Sequence, residues 1–186
     1  MIAADFEARY RSDPDPWNYR ESAYERSKYE ATLNACGRGP FRSAIELGGS
    51  IGVFSALLAP RCASLTTVDF SPTAAGLARA RLRGHPQARV IVGAIPDALP
   101  AEPFDLVVAS EILYYLSRAQ LAQTLTALES RMIARARLVC VHWRPTGPDR
   151  PLAATEVHAA LRAQPWLATV ASGGNDEYLL DVLERR

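Results

Sequence analysis

The sequence predicts an α/β fold, a mostly parallel sheet of seven strands with helices on both faces. Three observations carry this. Short apolar runs alternate with helical segments along most of the chain, the order that builds a parallel sheet. The first run, Ala44-Ile45-Glu46-Leu47, breaks into Gly48-Gly49-Ser50-Ile51-Gly52 and then into a helix-like segment. The last two runs have only Gly173-Gly174-Asn175-Asp176 between them. A link that short cannot cross over, so these two strands pair as an antiparallel hairpin.

The elements follow in order. Asp13-Pro14-Asp15-Pro16 cannot be helical, because each proline lacks a donor and restricts its predecessor. It sets off a short N-terminal segment. Ser22-Ala23-Tyr24-Glu25 is a capping-box pattern and opens a helix that runs to about Cys36 and stops at Gly37. Residues 1–38 read as an N-terminal helical segment and 39–186 as the core of one domain. Ser43 to Leu47 is the first strand, Val53 to Ala59 a helix and Leu65 to Val68 the second strand. Ser71-Pro72 caps and starts a helix ending near Arg83. Arg89 to Val92 and Phe104 to Ala109 are the third and fourth strands. Ser117-Arg118-Ala119-Gln120 is a second capping box, opening a helix to about Arg131. Arg137 to Trp143 is a strand, Ala153 to Arg162 a helix, and Leu167 to Ala171 and Tyr178 to Leu183 the final strands.

Composition excludes several classes. A chain of 186 residues, 48% hydrophobic and 22% charged, is ordinary for a globular domain with a sizeable core. A net charge of +1 gives no basic footprint for nucleic acid. Arg79, Arg81 and Arg83 read as the solvated face of a helix. No run approaches membrane-spanning length, and Met1 to Glu7 does not read as a secretory signal. Cys36, Cys62 and Cys140 are odd in number and far apart, which predicts free thiols in a reducing compartment. The cytoplasm is the expected location.

The glycine turn carries the chemistry. Strand, glycine turn, helix, strand and a closing Asp69 is the layout of a nucleotide-binding βαβ unit. Glycines let the backbone approach a ligand, and the later carboxylate can accept hydrogen bonds from a ribose diol. A dinucleotide site wants G-x-G-x-x-G, but Ser50 and Val53 stand at the second and third glycine positions. A P-loop needs Gly-Lys, and Lys28 is the chain's only lysine. The spacing Glu46-x-Gly48-x-Ser50-x-Gly52 instead resembles the first motif of class I S-adenosylmethionine-dependent methyltransferases, whose core is Rossmann-like. Val68-Asp69-Phe70-Ser71, Val92-Gly93-Ala94-Ile95 and Phe104 to Ser110 are similar to that family's later blocks, in order. The resemblance implies a cofactor held by Glu46, Gly48, Gly49, Ser50, Gly52, Asp69, Phe70, Gly93, Ala94, Ile95 and Ser110. The family often has an acid where this chain has Ala94, so adenine must be read by backbone groups or by Asp97.

Three narrower blocks resemble the nodulation protein S (NodS) methyltransferases. They are Asp15-Pro16-Trp17-x-Tyr19-x-x-Ser22-x-Tyr24-Glu25-x-x-Lys28-Tyr29, Ser110-Glu111-Ile112-Leu113-Tyr114-Tyr115-Leu116, and Val141-His142-Trp143-Arg144 with Tyr178 to Val182. That resemblance implies N-methylation of an amino sugar or related small molecule, such as an oligosaccharide. In class I enzymes such an N-terminal segment often folds over the cofactor as a lid, which implies a lid role for Trp17, with simple packing as its alternative.

Methyl transfer requires an aligned, unprotonated nucleophile and exclusion of water. Glu111 is the first candidate for accepting or orienting the amine proton; capping the next helix is its alternative. His142 is a second candidate base, because the fifth strand should adjoin the fourth and a neutral imidazole is available near pH 7. A satisfied, partly buried histidine is its alternative. Tyr114 and Tyr115 could stack on a sugar or surround the sulfonium, or plug the base of the next helix. His85 and His158 read as surface residues. The Asn/Asp-Pro-Pro-Tyr/Phe loop of DNA-base and protein-amide methyltransferases is missing, which argues against those substrates. Metal-dependent catechol methyltransferases need an Asp-Asn pair after the fifth strand, where His142-Trp143-Arg144 stands, so no metal is expected. An O-methyltransferase on a sugar or metabolite, a non-catalytic S-adenosylmethionine-binding module and a nicotinamide dehydrogenase are the rival readings. The acceptor and the oligomeric state are not legible.

Overall fold

The computed structural model describes residues 3–186; Met1 and Ile2, the start of the stretch read for a secretory signal, lie outside the described residues. Seven strands form one sheet: β1 (Ala44–Leu47), β2 (Leu65–Asp69), β3 (Ala88–Val92), β4 (Phe104–Ser110), β5 (Met132–Trp143), β6 (Leu167–Gly174) and β7 (Tyr178–Arg185). Their order is β3-β2-β1-β4-β5-β7-β6. The first five pair in parallel, and β7 lies antiparallel between β5 and β6. This is the class I methyltransferase sheet, with its antiparallel hairpin at the C-terminal end. No helix among the described residues is long and apolar enough to cross a membrane.

The helices are α1 (Ala3–Ser12), α2 (Ala23–Cys36), α3 (Val53–Leu58), α4 (Pro72–Arg81), α5 (Arg118–Arg131) and α6 (Ala154–Arg162). Strand side chains alternate between faces, so each strand feeds two cores. Leu106, Val108, Val139 and Val141 pack with Tyr29 of α2 and with Phe54 and Leu58 of α3. Val107, Ala109, Leu138 and Cys140 pack on the other face with Leu121, Leu125 and Leu128 of α5 and Val157 and Leu161 of α6. All three cysteines are free, as the sequence predicts, and buried, and burial pushes Cys36 and Cys62 up to about 12.

The caps explain where helices begin. Ser22, Ser71 and Ser117 each accept from a backbone N–H one turn on. Only Ser117-Gln120 closes into a reciprocal capping box; at α2 the Ser22 N–H goes to the Asn18 carbonyl instead, at 3.0 Å. The Glu25 carboxylate is thereby released for other work.

Some boundaries differ from expectation. β5 starts five residues earlier than the sequence suggests. Arg135 there takes a left-handed conformation (φ 64°), and the register against β4 shifts between Phe104 and Leu106. A bulge of this kind leaves no apolar alternation to read. β6 extends to Gly174, so the hairpin loop is shorter, and Asn175 Oδ1 closes it by accepting from the N–H groups of Glu177 and Tyr178. His158, expected on the surface, is buried, because α6 turns it toward the sheet.

Candidate functional site

The carboxyl ends of β1, β2 and β4 meet below α1 and the 13–22 loop. At the end of β1, Gly48 (φ 73°) and Ser50 (φ 49°) turn the chain through left-handed conformations. The first suits glycine and the second is strained for serine. The turn is tied to β2: Gly48 and Gly49 N–H donate to the Val68 carbonyl, and Ser50 N–H donates to Asp69 Oδ2 at 2.8 Å. The other oxygen of Asp69 accepts from Ser71 N–H. Gly49 lies against Thr67 so closely that a Cβ there would sit 1.7 Å from Thr67 Oγ1. Glu46 is buried beneath the turn and accepts from the Ser55 hydroxyl; burial pushes its carboxyl up to about 7.

Three connected chambers open here. The inner one, about 90 Å³, is walled by Glu46, Gly48, Gly49, Ser50, Asp69, Phe70 and Ser110, with Trp17 closing it above. A lateral one of about 280 Å³ runs along Asp69, Phe70, Gly93, Ala94 and Ile95. An outer one of about 400 Å³ is lined by Tyr24, Lys28, Tyr114, Trp143, Asp149 and Arg150. Inner and outer chambers share one wall: Trp17, Tyr19, Glu25, Glu111 and Tyr115. Tyr115 lines all three.

That wall is an ionic cluster. Lys28, only 3% exposed, places Nζ 3.0 Å from Glu25 Oε1 and 3.0 Å from Glu111 Oε1. Glu111 follows β4 with a left-handed backbone (φ 56°), the strained geometry common at functional sites. Its second oxygen accepts from the Tyr114 hydroxyl and from Trp143 N–H. Both Glu111 oxygens are therefore engaged. Tyr114 is pushed well above the usual phenol range, by burial first and the Glu111 charge second, so its proton stays on oxygen.

α1 covers the opening. Phe6 packs edge-on against Tyr115 (4.9 Å between centroids) and Phe70 (5.6 Å), and Tyr10 Oη lies 2.5 Å from Ser50 Oγ. Glu7 accepts from the Ser71 and Thr73 hydroxyls at the start of α4, which holds its carboxyl down at about 2. Phe6, Glu7 and Tyr10 gave no sequence signal, since α1 has no apolar periodicity to mark it.

Two candidates stand elsewhere. His142 does not face a chamber. It is fully buried, its Nε2 accepts from Leu113 N–H at 3.2 Å, and its Nδ1 lies 3.1 Å from His158 Nε2. The physical reason is strand parity: His142 shares a face with Leu138 and Cys140, toward α6, while Trp143 faces the outer chamber. His142 as a base is corrected to His142 as a support of the 111–115 loop. Gly52 is not a wall residue either; it lets α3 approach α4, where a Cβ would come 3.0 Å from Ala78 Cα. Asp97 is exposed and lines no chamber, whereas Gln120 lines the lateral one beside Ala94.

Comparison with known proteins gives a consistent picture. The family model for nodulation protein S (NodS) matches residues 5–142. Nodulation protein S of Bradyrhizobium diazoefficiens is 39% identical over 105 residues, 55% of this chain and 49% of that protein. The chain thus spans about half the length of the curated relatives it matches. A structure from Pseudomonas syringae, described as a candidate methyltransferase, is 36% identical with a TM-score of 0.78, covering 88% of this chain and all of that one. The N-methyltransferase NodS of Bradyrhizobium japonicum, solved with S-adenosyl-L-homocysteine, shares the fold at a TM-score of 0.87 and 24% identity, over 97% of each chain.

Proposed function

The chain belongs to the nodulation protein S family, and from that premise we propose that it is an S-adenosylmethionine-dependent methyltransferase acting on a small-molecule amine. The observation that carries this reading is the shared wall. A cradle built for backbone approach and a roomier aromatic chamber meet at Glu25, Glu111 and Tyr115.

The cradle fits the cofactor on its own chemistry. Gly49 has no room for a side chain, so its backbone is bare toward the inner chamber. Asp69 would take the ribose hydroxyls, Phe70 with Gly93, Ala94 and Ile95 the adenine, and Glu46, Gly48 and Ser50 the amino-acid end. When bound there, S-adenosylmethionine supplies a methyl group made electrophilic by its sulfonium sulfur. The chain's own residues hold the acceptor and exclude water. The N-terminal segment serves as a lid, with α1 anchored by Glu7 to α4 and by Tyr10 to the glycine turn.

The outer chamber favours an amine over a hydroxyl. Its lining carries four carboxylates, Glu25, Glu111, Asp149 and Glu177, against two cations, Lys28 and Arg150, which suits an incoming ammonium. Lys28 lies over the Tyr24 ring and Arg150 over those of Tyr114 and Trp143, which leaves Trp17, Tyr19 and Tyr115 as the aromatic lining for the apolar side of a sugar ring, and an amino sugar is the acceptor class we favour. Calorimetry with S-adenosylhomocysteine and with NAD tests the cofactor: binding of the first and not the second is expected. Methyl transfer to a deacetylated chitooligosaccharide, and not to its acetylated form, tests the acceptor. Transfer to acetylated glycans alone makes the protein an O-methyltransferase.

A further inference from the structure

Among the described residues, two consecutive side chains keep buried oxygens with no hydrogen-bond partner, Tyr24 Oη and Glu25 Oε2. A buried acceptor left unmade is expensive in a folded protein and calls for an explanation. Both residues line the outer chamber, and Glu25, 9% exposed, also lines the inner one. Glu111, which the sequence puts first as the proton acceptor, has no such vacancy: Lys28 takes one oxygen, and Tyr114 and Trp143 take the other.

We propose that Glu25 is the group that receives the acceptor's ammonium and takes its proton, while Glu111 fixes the wall. This rests on the reading of the protein as a methyltransferase acting on an amine. In the step, one N–H bond of the ammonium breaks and an O–H bond forms at Glu25 Oε2. The electron pair stays on nitrogen, which becomes the free nucleophile, and the carboxylate becomes a neutral acid. The charges agree with this role. Lys28 neutralises one of the two carboxylates, and the ammonium supplies the second positive charge. Of the other groups facing Glu25, Asp15 is held by Arg20 and by the backbone N–H groups of Tyr19 and Arg20. Burial keeps the phenols of Tyr19, Tyr24 and Tyr29 protonated. Burial also raises the Glu25 carboxyl, against the pull of Lys28, which makes it a better proton acceptor than an ordinary carboxylate.

The test uses Glu25→Gln, whose amide oxygen can still accept from Lys28. Methyl transfer to a deacetylated chitooligosaccharide and a panel of amino sugars is followed from pH 6 to 9.5. S-adenosylhomocysteine affinity is measured alongside. The expected result is a loss of about 10²-fold or more in kcat/KM. The acid limb of the pH profile should shift, and the affinity should stay within about twofold. Retained turnover with an unchanged profile overturns the role of Glu25 and leaves the methyltransferase reading standing. A wild-type protein that methylates hydroxyls and no amine overturns both.

Discussion

Lys28 Nζ stands 3.0 Å from Glu111 Oε1, joining residues 83 positions apart and fastening α2 to the end of β4. Lys28→Met removes the one cation between a buried carboxylate, Glu25, and a partly buried one, Glu111. Breaking a buried ion pair by removing one partner costs about 3–5 kcal/mol. The loss should be smaller at pH 5 than at pH 7.5, because the Glu25 carboxyl, raised by burial, takes up its proton earlier than an ordinary carboxyl as pH falls and so relieves the repulsion. Urea midpoints for wild type and variant at the two pH values measure it. An equal loss at both would mean that the carboxylates are not the charged groups at issue.

The contrast between the two ends of this cluster shows what a sequence displays. The glycine turn and Asp69 were legible because local chain geometry demands those residue types at that spacing. Glu25 is legible in a capping pattern and in a family-like block, and neither shows its place in the wall, which depends on α2 packing across β4. His142 as a base rests on nearness to β4, whereas the structure matches its alternative, a satisfied buried histidine. Alternation along Leu138, Cys140 and His142 assigns it to the opposite face.

Glu46 gives a stability slope of unusual sign for a carboxylate. Its folded value is raised from 4.5 to about 7, so the folded state holds the proton more tightly than the unfolded one. The Glu46 contribution to stability therefore falls as pH rises from about 4.5 to about 7, by about 3 kcal/mol in all. Glu46→Gln should remove that contribution, so the stability difference between variant and wild type should change across the window. Denaturant titrations across this window decide it, and an unchanged slope in the variant would assign the effect to another group.

Gly49→Ala should fail because of one atom. The new Cβ would sit 1.7 Å from Thr67 Oγ1 but 3.1 Å from Thr67 Cβ. The single variant is expected to lose S-adenosylhomocysteine binding and at least ~2 kcal/mol of stability, as an overpacked site does. Adding Thr67→Ala removes the clashing oxygen and should restore part of both. If the double variant is no better than the single one, the turn is intolerant for a reason other than this contact.

Glu7 ties α1 to the start of α4, and its carboxyl is held down at about 2, so the tie persists as pH falls from neutral and is lost only in strong acid. Glu7→Ala should increase hydrogen exchange across Ala3–Ser12 and weaken S-adenosylhomocysteine binding, while β1 to β5 stay protected. Unchanged exchange in α1 would leave Phe6 and Tyr10 as the anchors of the lid.

His142 links the 111–115 loop to the far side of the sheet, and its tautomer follows from its neighbours. Leu113 N–H can only donate, so His142 Nε2 must accept and the ring proton sits on Nδ1. That proton donates to His158 Nε2, which leaves His158 Nδ1–H to donate to Asp181 at 2.7 Å. Arg162 and Ser172 hold Asp181 in turn. His142→Phe strands the Leu113 N–H and His158 Nε2, at roughly 1–3 kcal/mol for each buried group left without a partner. It should lower kcat by loosening the loop that carries Glu111 and Tyr114, with cofactor affinity little changed. The pH dependence separates this chain of bonds from simple packing. Burial and the neighbouring His158 hold the His142 imidazole well below 6.5, so the unfolded chain takes its proton first. The His142 contribution to stability is then full above about pH 6.5 and is lost as pH drops below it, opposite in sign to that of Glu46. The stability difference between wild type and the phenylalanine variant should therefore shrink as pH falls below about 6.5. A variant that loses stability with acid in parallel with wild type would show that His142 does not titrate in the unfolding equilibrium, and the bonded chain would carry no pH dependence.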